Sequence, residues 1–298
     1  MILSRNGHIS EVYAFLGTSF PGKEWKLTLP QQGSGQEAYF AEADGLAFFV
    51  KLDVQIERYR AMFELGFCPR LVTTGSLADG TDLVVQETVN GKNPSRKDFH
   101  RYLDQFAQAI GKTHRCKKLR AILPPKISSC YKDAGLETLA QIEQRWAFYK
   151  PLVKPTCAIF VGESIGHLRE QIIQFQGAGL VASHNDVCNG NWLVSSDGRV
   201  YLIDYESLSL DDPALDVGAI LWWYYPPNLR ARFLEIAGYE NDDGFRQRMK
   251  IRMAVHCLNI ILPRENSFDH FDAETFDSAL DDFRAVMAGQ ENPQGYAA

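Results

Sequence analysis

Ser183-His184-Asn185-Asp186-Val187-Cys188-Asn189-Gly190-Asn191, followed by Leu202-Ile203-Asp204-Tyr205-Glu206, is the stretch on which the reading of this chain turns. Asn191 stands five residues after Asp186, and a second acid, Asp204, closes an apolar strand. That order suits phosphoryl transfer. A carboxylate such as Asp186 can accept a hydroxyl proton and orient the nucleophile. Asn191 and Asp204 offer hard oxygen ligands to magnesium, which keeps water and phosphate oxygens in its shell and needs few protein ligands. His184 and Cys188 are four apart, but no second pair with zinc spacing accompanies them. No Gly-x-Ser-x-Gly elbow and no Cys–His nucleophile pattern occurs.

Upstream, the first ninety residues read as β-rich with one helix. Trp25-Lys-Leu-Thr-Leu alternates as a strand, and Ala38 to Glu42 and Leu46 to Leu52 bracket the hairpin dipeptide Asp44-Gly45. Val54 to Leu65 reads as a helix stopped by Gly66 and Pro69. Strands follow near Arg70 to Thr73 and Asp82 to Glu87. After Asn90-Gly91 the pattern turns helical: Phe99, Leu103, Phe106, Ile110 and His114 fall at helical spacing, and Leu136 to Tyr149 and Glu163 to Gln176 continue it. Leu180 to Asp204 is a short β-like interruption, and helical patterns resume from Asp216. The expected fold is α+β with two lobes, a small β-rich N-lobe over residues 1–89 and a larger helical C-lobe over residues 90–298.

The whole-chain balance excludes several classes. With 31 Lys+Arg and 37 Asp+Glu the net charge is −6 over 298 residues, a poor endowment for gripping nucleic-acid phosphates. The longest apolar run, Val217 to Tyr225, is too short to cross a bilayer, so no membrane partner is expected. The first residues lack an apolar core of signal-peptide length. Six scattered cysteines form no Cys-x-x-Cys pair, which fits reduced thiols and a cytoplasmic location. From Arg264 onward there are eight acids and two bases, with Phe276, Leu280, Phe283 and Met287 spaced as the buried stripe of an amphipathic helix.

His184-Asn-Asp186-x-x-x-x-Asn191 resembles the catalytic loop of the protein-kinase-like superfamily, His-x-Asp-x-x-x-x-Asn. The small-molecule branch, choline/ethanolamine kinases and aminoglycoside phosphotransferases, fits best. The His-Asn-Asp spelling and Ile203-Asp-Tyr-Glu206, where protein kinases carry Asp-Phe-Gly, resemble the choline/ethanolamine side. Asp212-Pro-Ala-Leu-Asp216-Val-Gly-Ala resembles the helix start that follows in both groups. No Ser/Thr-rich activation segment separates Asp204 from Asp216, which argues against a protein substrate.

The resemblance implies a protein-kinase-like fold with MgATP bound between the lobes. It implies transfer of the γ-phosphate to a hydroxyl of a small, cationic, amine-bearing molecule. Asp186 is then the base, and Asn191 and Asp204 hold magnesium. Phe48-Phe49-Val50-Lys51 resembles the strand that carries the phosphate-binding lysine, with Glu57, or Glu64 two turns on, as its helix partner. Gly33-Ser-Gly35 sits where the nucleotide-covering loop belongs, where backbone N–H groups can meet phosphate oxygens. Gln86 and Glu87 lie in the stretch resembling the adenine-reading hinge. Asp216, Trp222, Tyr224 and Glu206 are the candidate acceptor residues, aromatic faces attracting ammonium groups. Where choline kinases carry an acid in this helix the chain has Trp223. The rival readings are a kinase of an aminoglycoside or another small metabolite, and a nucleotide-binding pseudokinase.

Overall fold

Five strands, β1 (Lys26–Thr28), β2 (Ala38–Ala43), β3 (Leu46–Leu52), β4 (Leu71–Ser76) and β5 (Asp82–Glu87), pair antiparallel in the order β1-β2-β3-β5-β4. The structure, a computed structural model, describes residues 7–30, 36–264 and 271–296. Asp44-Gly45 turns β2 into β3 with positive φ at both residues, and the register sets Ala38 opposite Lys51. Alternate side chains of β3 and β5 (Phe48, Val50, Leu52, Leu83 and Val85) meet Val12 and Leu16 in a closed apolar core. Each such side chain contributes roughly 1.5–3 kcal/mol on burial.

Val12 and Leu16 belong to α1 (Ile9–Ser19), a helix the sequence reading did not anticipate. Its N-terminus has no side-chain cap, and only one i,i+4 pair is fully buried, so neither a start signal nor a long stripe marked it. The anticipated helix is α2 (Ile56–Leu65), ended by Gly66 at φ +81°.

The described chain divides into two compact units, Met1–Lys92 with Leu193–Glu206, and Asn93–Trp192 with Ser207–Ala298. In the first unit β6 (Gly91–Lys92) starts a further three-stranded sheet. A Cβ on Gly91 would lie 2.7 Å from the Val194 carbonyl oxygen, so the close approach of these strands requires glycine there. β7 (Val181–Ser183) comes next in sequence, then β8 (Trp192–Ser195) and β9 (Val200–Leu202), which complete the sheet in the order β6-β8-β9. In the second unit β10 (Ser209–Asp211) pairs antiparallel with β7.

Helices make up the rest of the second unit: α3 (Arg96–Arg101), α4 (Leu103–Arg115), α5 (Lys117–Ile122), α6 (Tyr131–Tyr149), α7 (Pro155–Ile173), α8 (Ala214–Tyr224), α9 (Pro227–Ala237), α10 (Asp243–Ile261), α11 (Phe276–Ala279) and α12 (Asp281–Met287). The stripe from Phe99 to His114 spans two helices, broken at Tyr102, and the stripe from Phe276 to Met287 breaks at Leu280. Periodicity carried both faces without showing the breaks. α8 and α10 pack backbone to backbone, since a Cβ on Gly218 would come 2.7 Å from the Met249 carbonyl oxygen. The fully buried Arg252 of α10 donates to Asp211 at 2.7 Å and so ties α10 to β10. No helix of the described residues is long and apolar enough to cross a membrane.

Candidate active site

In the second unit, β7 delivers the chain into the loop from His184 to Asn191, and the loop is held chiefly through its backbone. Asp216, in the first turn of α8, accepts from the His184 N–H at 2.6 Å and the Asn185 N–H at 2.8 Å. His114 Nε2 lies 2.9 Å from the same carboxylate, and Tyr239 Oη lies 2.6 Å from His114 Nδ1. Asp216 is fully buried. Burial alone would push its carboxyl up, but the His114 bond, the charges of His114 and His184 and the His184 backbone N–H together hold it below the usual aspartate range.

Asn185 takes φ +64°, a left-handed conformation that asparagine tolerates better than most residues. Its amide pins that turn by donating to the Ser207 carbonyl at 2.7 Å and to Ser209 Oγ at 2.9 Å. Asn191 Nδ2 donates to the Asp186 carbonyl at 3.0 Å. With its nitrogen so engaged, the side-chain oxygen is the end of Asn191 suited to a hard cation. Asn93 Nδ2 reaches the Asn189, Gly190 and Trp192 carbonyls at 3.3, 3.1 and 2.9 Å, and closes the turn from outside.

Asp186 itself lines a pocket of about 550 Å3. Tyr224, Trp223 and Ile260 supply its apolar wall, and Ser95, Arg96, Asn189, His256 and Gln294 its polar one. Tyr224 is fixed twice: its ring stacks on Phe99 at 4.0 Å, and its hydroxyl accepts the Asn189 N–H at 2.8 Å. Burial, then the nearby Asp186 carboxylate, push the Cys188 thiol up to about 12, so it stays protonated at neutral pH. Burial pushes His256 below the ordinary histidine value, so that ring is neutral at pH 7.

In the first unit, Lys51 leaves β3 and meets Asp204 Oδ1 at 2.6 Å and Glu206 Oε2 at 2.7 Å. Helix α2 positions these acids. Arg58 donates to the Tyr205 and Glu206 carbonyls at 3.1 and 3.0 Å, and the Tyr59 hydroxyl donates to Glu206 Oε1 at 2.8 Å. Asp204 sits at φ +66°, an uncommon conformation for a residue with a side chain. Burial, and next the Asp204 carboxylate, push the Glu206 carboxyl up against the pull of Lys51.

Several expected site residues lie elsewhere than the sequence suggested. Gly33 and Gly35 fall outside the described residues. Glu57 pairs with Arg60 at 2.6 Å, one turn along α2, while Lys51 takes its partners from the segment after β9. Gln86 is buried and donates to Cys68 Sγ at 3.2 Å, and Glu87 ends β5 paired with Arg70 at 2.5 Å. Among the acceptor candidates, Tyr224 lines the pocket, whereas Asp216 anchors the loop and Trp222 is buried with Nε1 donating to the Gln290 carbonyl at 3.3 Å. Glu206 stands beside Lys51. Sequence reasoning did not single out Arg96, His256, Arg58 or Tyr59. Arg58 and Tyr59 adjoin Glu57 in the helix, and that adjacency was the available signal.

The fold is that of kinase-like phosphotransferases. The chain is similar to a choline/ethanolamine kinase family protein from Mesorhizobium loti, with 18% identity and TM-score 0.66 over 96% of each chain. It is similar to choline kinase LicA from Streptococcus pneumoniae, with 16% identity and TM-score 0.62 over 95% of this chain and 99% of that one. Against aminoglycoside 2′-phosphotransferase-IIIa, solved with GDP, identity is 13% and TM-score 0.63 over 96% and 99% of the two chains. Over residues 5–249 the sequence matches the model of the phosphotransferase enzyme family, APH, and the chain belongs to that family.

Proposed function

We propose that this phosphotransferase moves the γ-phosphoryl group of MgATP to a hydroxyl of a small, amine-bearing molecule. The observation that carries the reading is Asp186, a carboxylate on the wall of a small-molecule pocket, in a loop whose shape is set by bonds to Asp216 and Asn185. In this role Asp186 orients the acceptor hydroxyl and takes its proton. Asn191 and Asp204 each offer a hard oxygen of the kind magnesium takes, and a bound magnesium ion would neutralise charge on phosphate oxygens. Lys51, already facing two carboxylates, has the charge and burial to hold phosphate oxygens once ATP enters. Trp223 and Tyr224 offer aromatic faces to an ammonium group. Dependence on ATP, together with cysteines that are all free, fits a cytoplasmic setting.

The test starts with thermal stabilisation by ATP with and without magnesium, followed by an ATP-consumption screen over hydroxyl acceptors. Asp186→Asn should keep the fold and nucleotide stabilisation and lower turnover by a factor of about 10² to 10⁴. Wild-type turnover in that variant removes Asp186 from the reaction.

A further inference from the structure

Arg96 lines the pocket that holds Asp186, and among the described residues no carboxylate is paired with it. Its guanidinium donates to the Gln294 carbonyl oxygen at 3.4 Å and to Gln294 Oε1 at 3.2 Å, two long bonds to neutral groups. Among the described residues no carboxylate lies within ion-pair distance of it. Arg230, Arg248 and Arg252 of the same unit are matched by Glu291, by Asp212 at 3.1 Å and by Asp211 at 2.7 Å, while Arg115 and Arg145 donate to neutral oxygens away from the pocket lining. A guanidinium stays protonated at any ordinary pH and carries five donors in a planar fork suited to a carboxylate. Here most of that fork is uncommitted, on the wall of the pocket that holds Asp186. Among the described residues Asp186 is the one acid that lines that pocket. Of those lining residues, a purely cationic acceptor would find Arg96 opposing it and Asp186 alone to attract it.

We infer that the acceptor bears a carboxylate as well as its hydroxyl, and that Arg96 is the specificity-determining residue that binds this carboxylate. This deepens the kinase reading and rests on it. With the carboxylate on Arg96, the carbon stem runs along Trp223, Tyr224 and Ile260, and an amine, where present, faces the aromatic rings. The acceptor hydroxyl oxygen bonds to the γ-phosphorus as the bond from γ-phosphorus to the β-phosphate oxygen breaks. The hydroxyl proton passes to Asp186, ADP leaves, and the carboxylate on Arg96 is unchanged.

The experiment compares matched acceptors that differ by one carboxylate: L-serine against ethanolamine, and L-homoserine against propanolamine. Wild-type protein should use the hydroxy acids with the higher kcat/KM. Arg96→Gln should raise KM for the hydroxy acids about tenfold or more with little change in kcat, and move KM for the amino alcohols less than about twofold. Arg96→Lys keeps the charge, loses the fork and should recover part of the affinity. Unchanged unfolding midpoints in both variants keep the comparison free of folding effects. Calorimetric titration of L-serine and L-homoserine into the protein with magnesium and a non-hydrolysable ATP analogue reads the same contact without turnover. Preference of the wild type for the amino alcohols overturns the inference, as does an unchanged acid-to-alcohol ratio in Arg96→Gln or the absence of saturable hydroxy-acid binding. Failure to bind MgATP or consume it with any acceptor would sink the kinase reading, while Arg96-dependent binding of a hydroxy acid would still stand.

Discussion

Asp186 and Asp204 are held by opposite means. In the loop from His184 to Asn191 the bonds run through backbone groups and through neighbours, Asp216, Asn185 and Asn191, and leave the Asp186 carboxylate on an open pocket wall. In the segment from Ile203 to Glu206 the acids are themselves engaged, both on the Lys51 ammonium, with Tyr59 on the far oxygen of Glu206. The difference matches the roles proposed for the two regions. In its proposed role as general base Asp186 needs a lone pair for the acceptor hydroxyl, and its loop is stiffened from behind. Lys51, Asp204 and Glu206 carry charges that are costly to leave bare, so they neutralise one another. On the proposed function, nucleotide binding exchanges ion pairs at Lys51, whereas acceptor binding at Asp186 has no ion pair to break among the described residues.

The largest effect should come from breaking the anchor of the Asp186 loop. Asp216→Asn leaves His114 without its buried anion and weakens the acceptor for the His184 and Asn185 N–H groups, a loss of about 3–5 kcal/mol in urea unfolding. The Asp216 carboxyl is held below its unfolded value. Its contribution is therefore fully present above the ordinary aspartate range, and is lost as pH falls through the lower, folded value. The variant should show a flatter loss of stability toward acid than the wild type. Wild-type stability in Asp216→Asn would mean that the loop is held by something else.

A smaller effect is expected where charges share one cation. Glu206→Gln leaves Lys51 with Asp204 as its remaining anion and should raise KM for ATP about fivefold, equivalent to ~1 kcal/mol, with acceptor KM unchanged. The Glu206 carboxyl is pushed above its unfolded value, so the wild type loses stability as pH rises from the ordinary glutamate range through the folded value, and Glu206→Gln should lack that decline. An unchanged KM for ATP would break the assignment of Glu206 to Lys51. Tyr59→Phe removes only the hydroxyl bond to Glu206 Oε1. It should cost about 0.5–1.5 kcal/mol of stability and shift KM for ATP less than Glu206→Gln does. A larger shift than in Glu206→Gln would place the control of Lys51 in α2 instead.

What the sequence made legible depended on how local each determinant is. The hairpin at Asp44-Gly45 and the stop at Gly66 are properties of single residues, and strand β3 has the limits, Leu46–Leu52, read beside that hairpin. The order of Asp186, Asn191 and Asp204 could be read from the sequence because all three lie within one short chain segment. The partner of Lys51 was not. Glu57 is near in sequence, but the contact closes with acids 153 and 155 residues away. Asp216 read as an acceptor group because it opens a helix with aromatic residues. Its bonds to His184 and His114 span 32 and 102 positions, and no periodicity records them. Arg96 lay outside every motif, and only the pocket gave it meaning.

The segment Leu193–Glu206 joins the first unit although most of the second surrounds it in the chain. It is secured there by the Leu202 N–H to the Phe67 carbonyl at 2.7 Å, by the Ser196 N–H to the Asn90 carbonyl at 3.0 Å and by the Lys51 pairs. The backbone therefore passes from one unit to the other at three junctions. No single cut releases an intact half: a fragment ending at Lys92 lacks two strands and both acids that face Lys51, and a fragment starting at Asn93 carries them stripped of their partners. An exchange that is to keep Lys51 with Asp204 and Glu206 therefore has to carry both Met1–Lys92 and Leu193–Glu206.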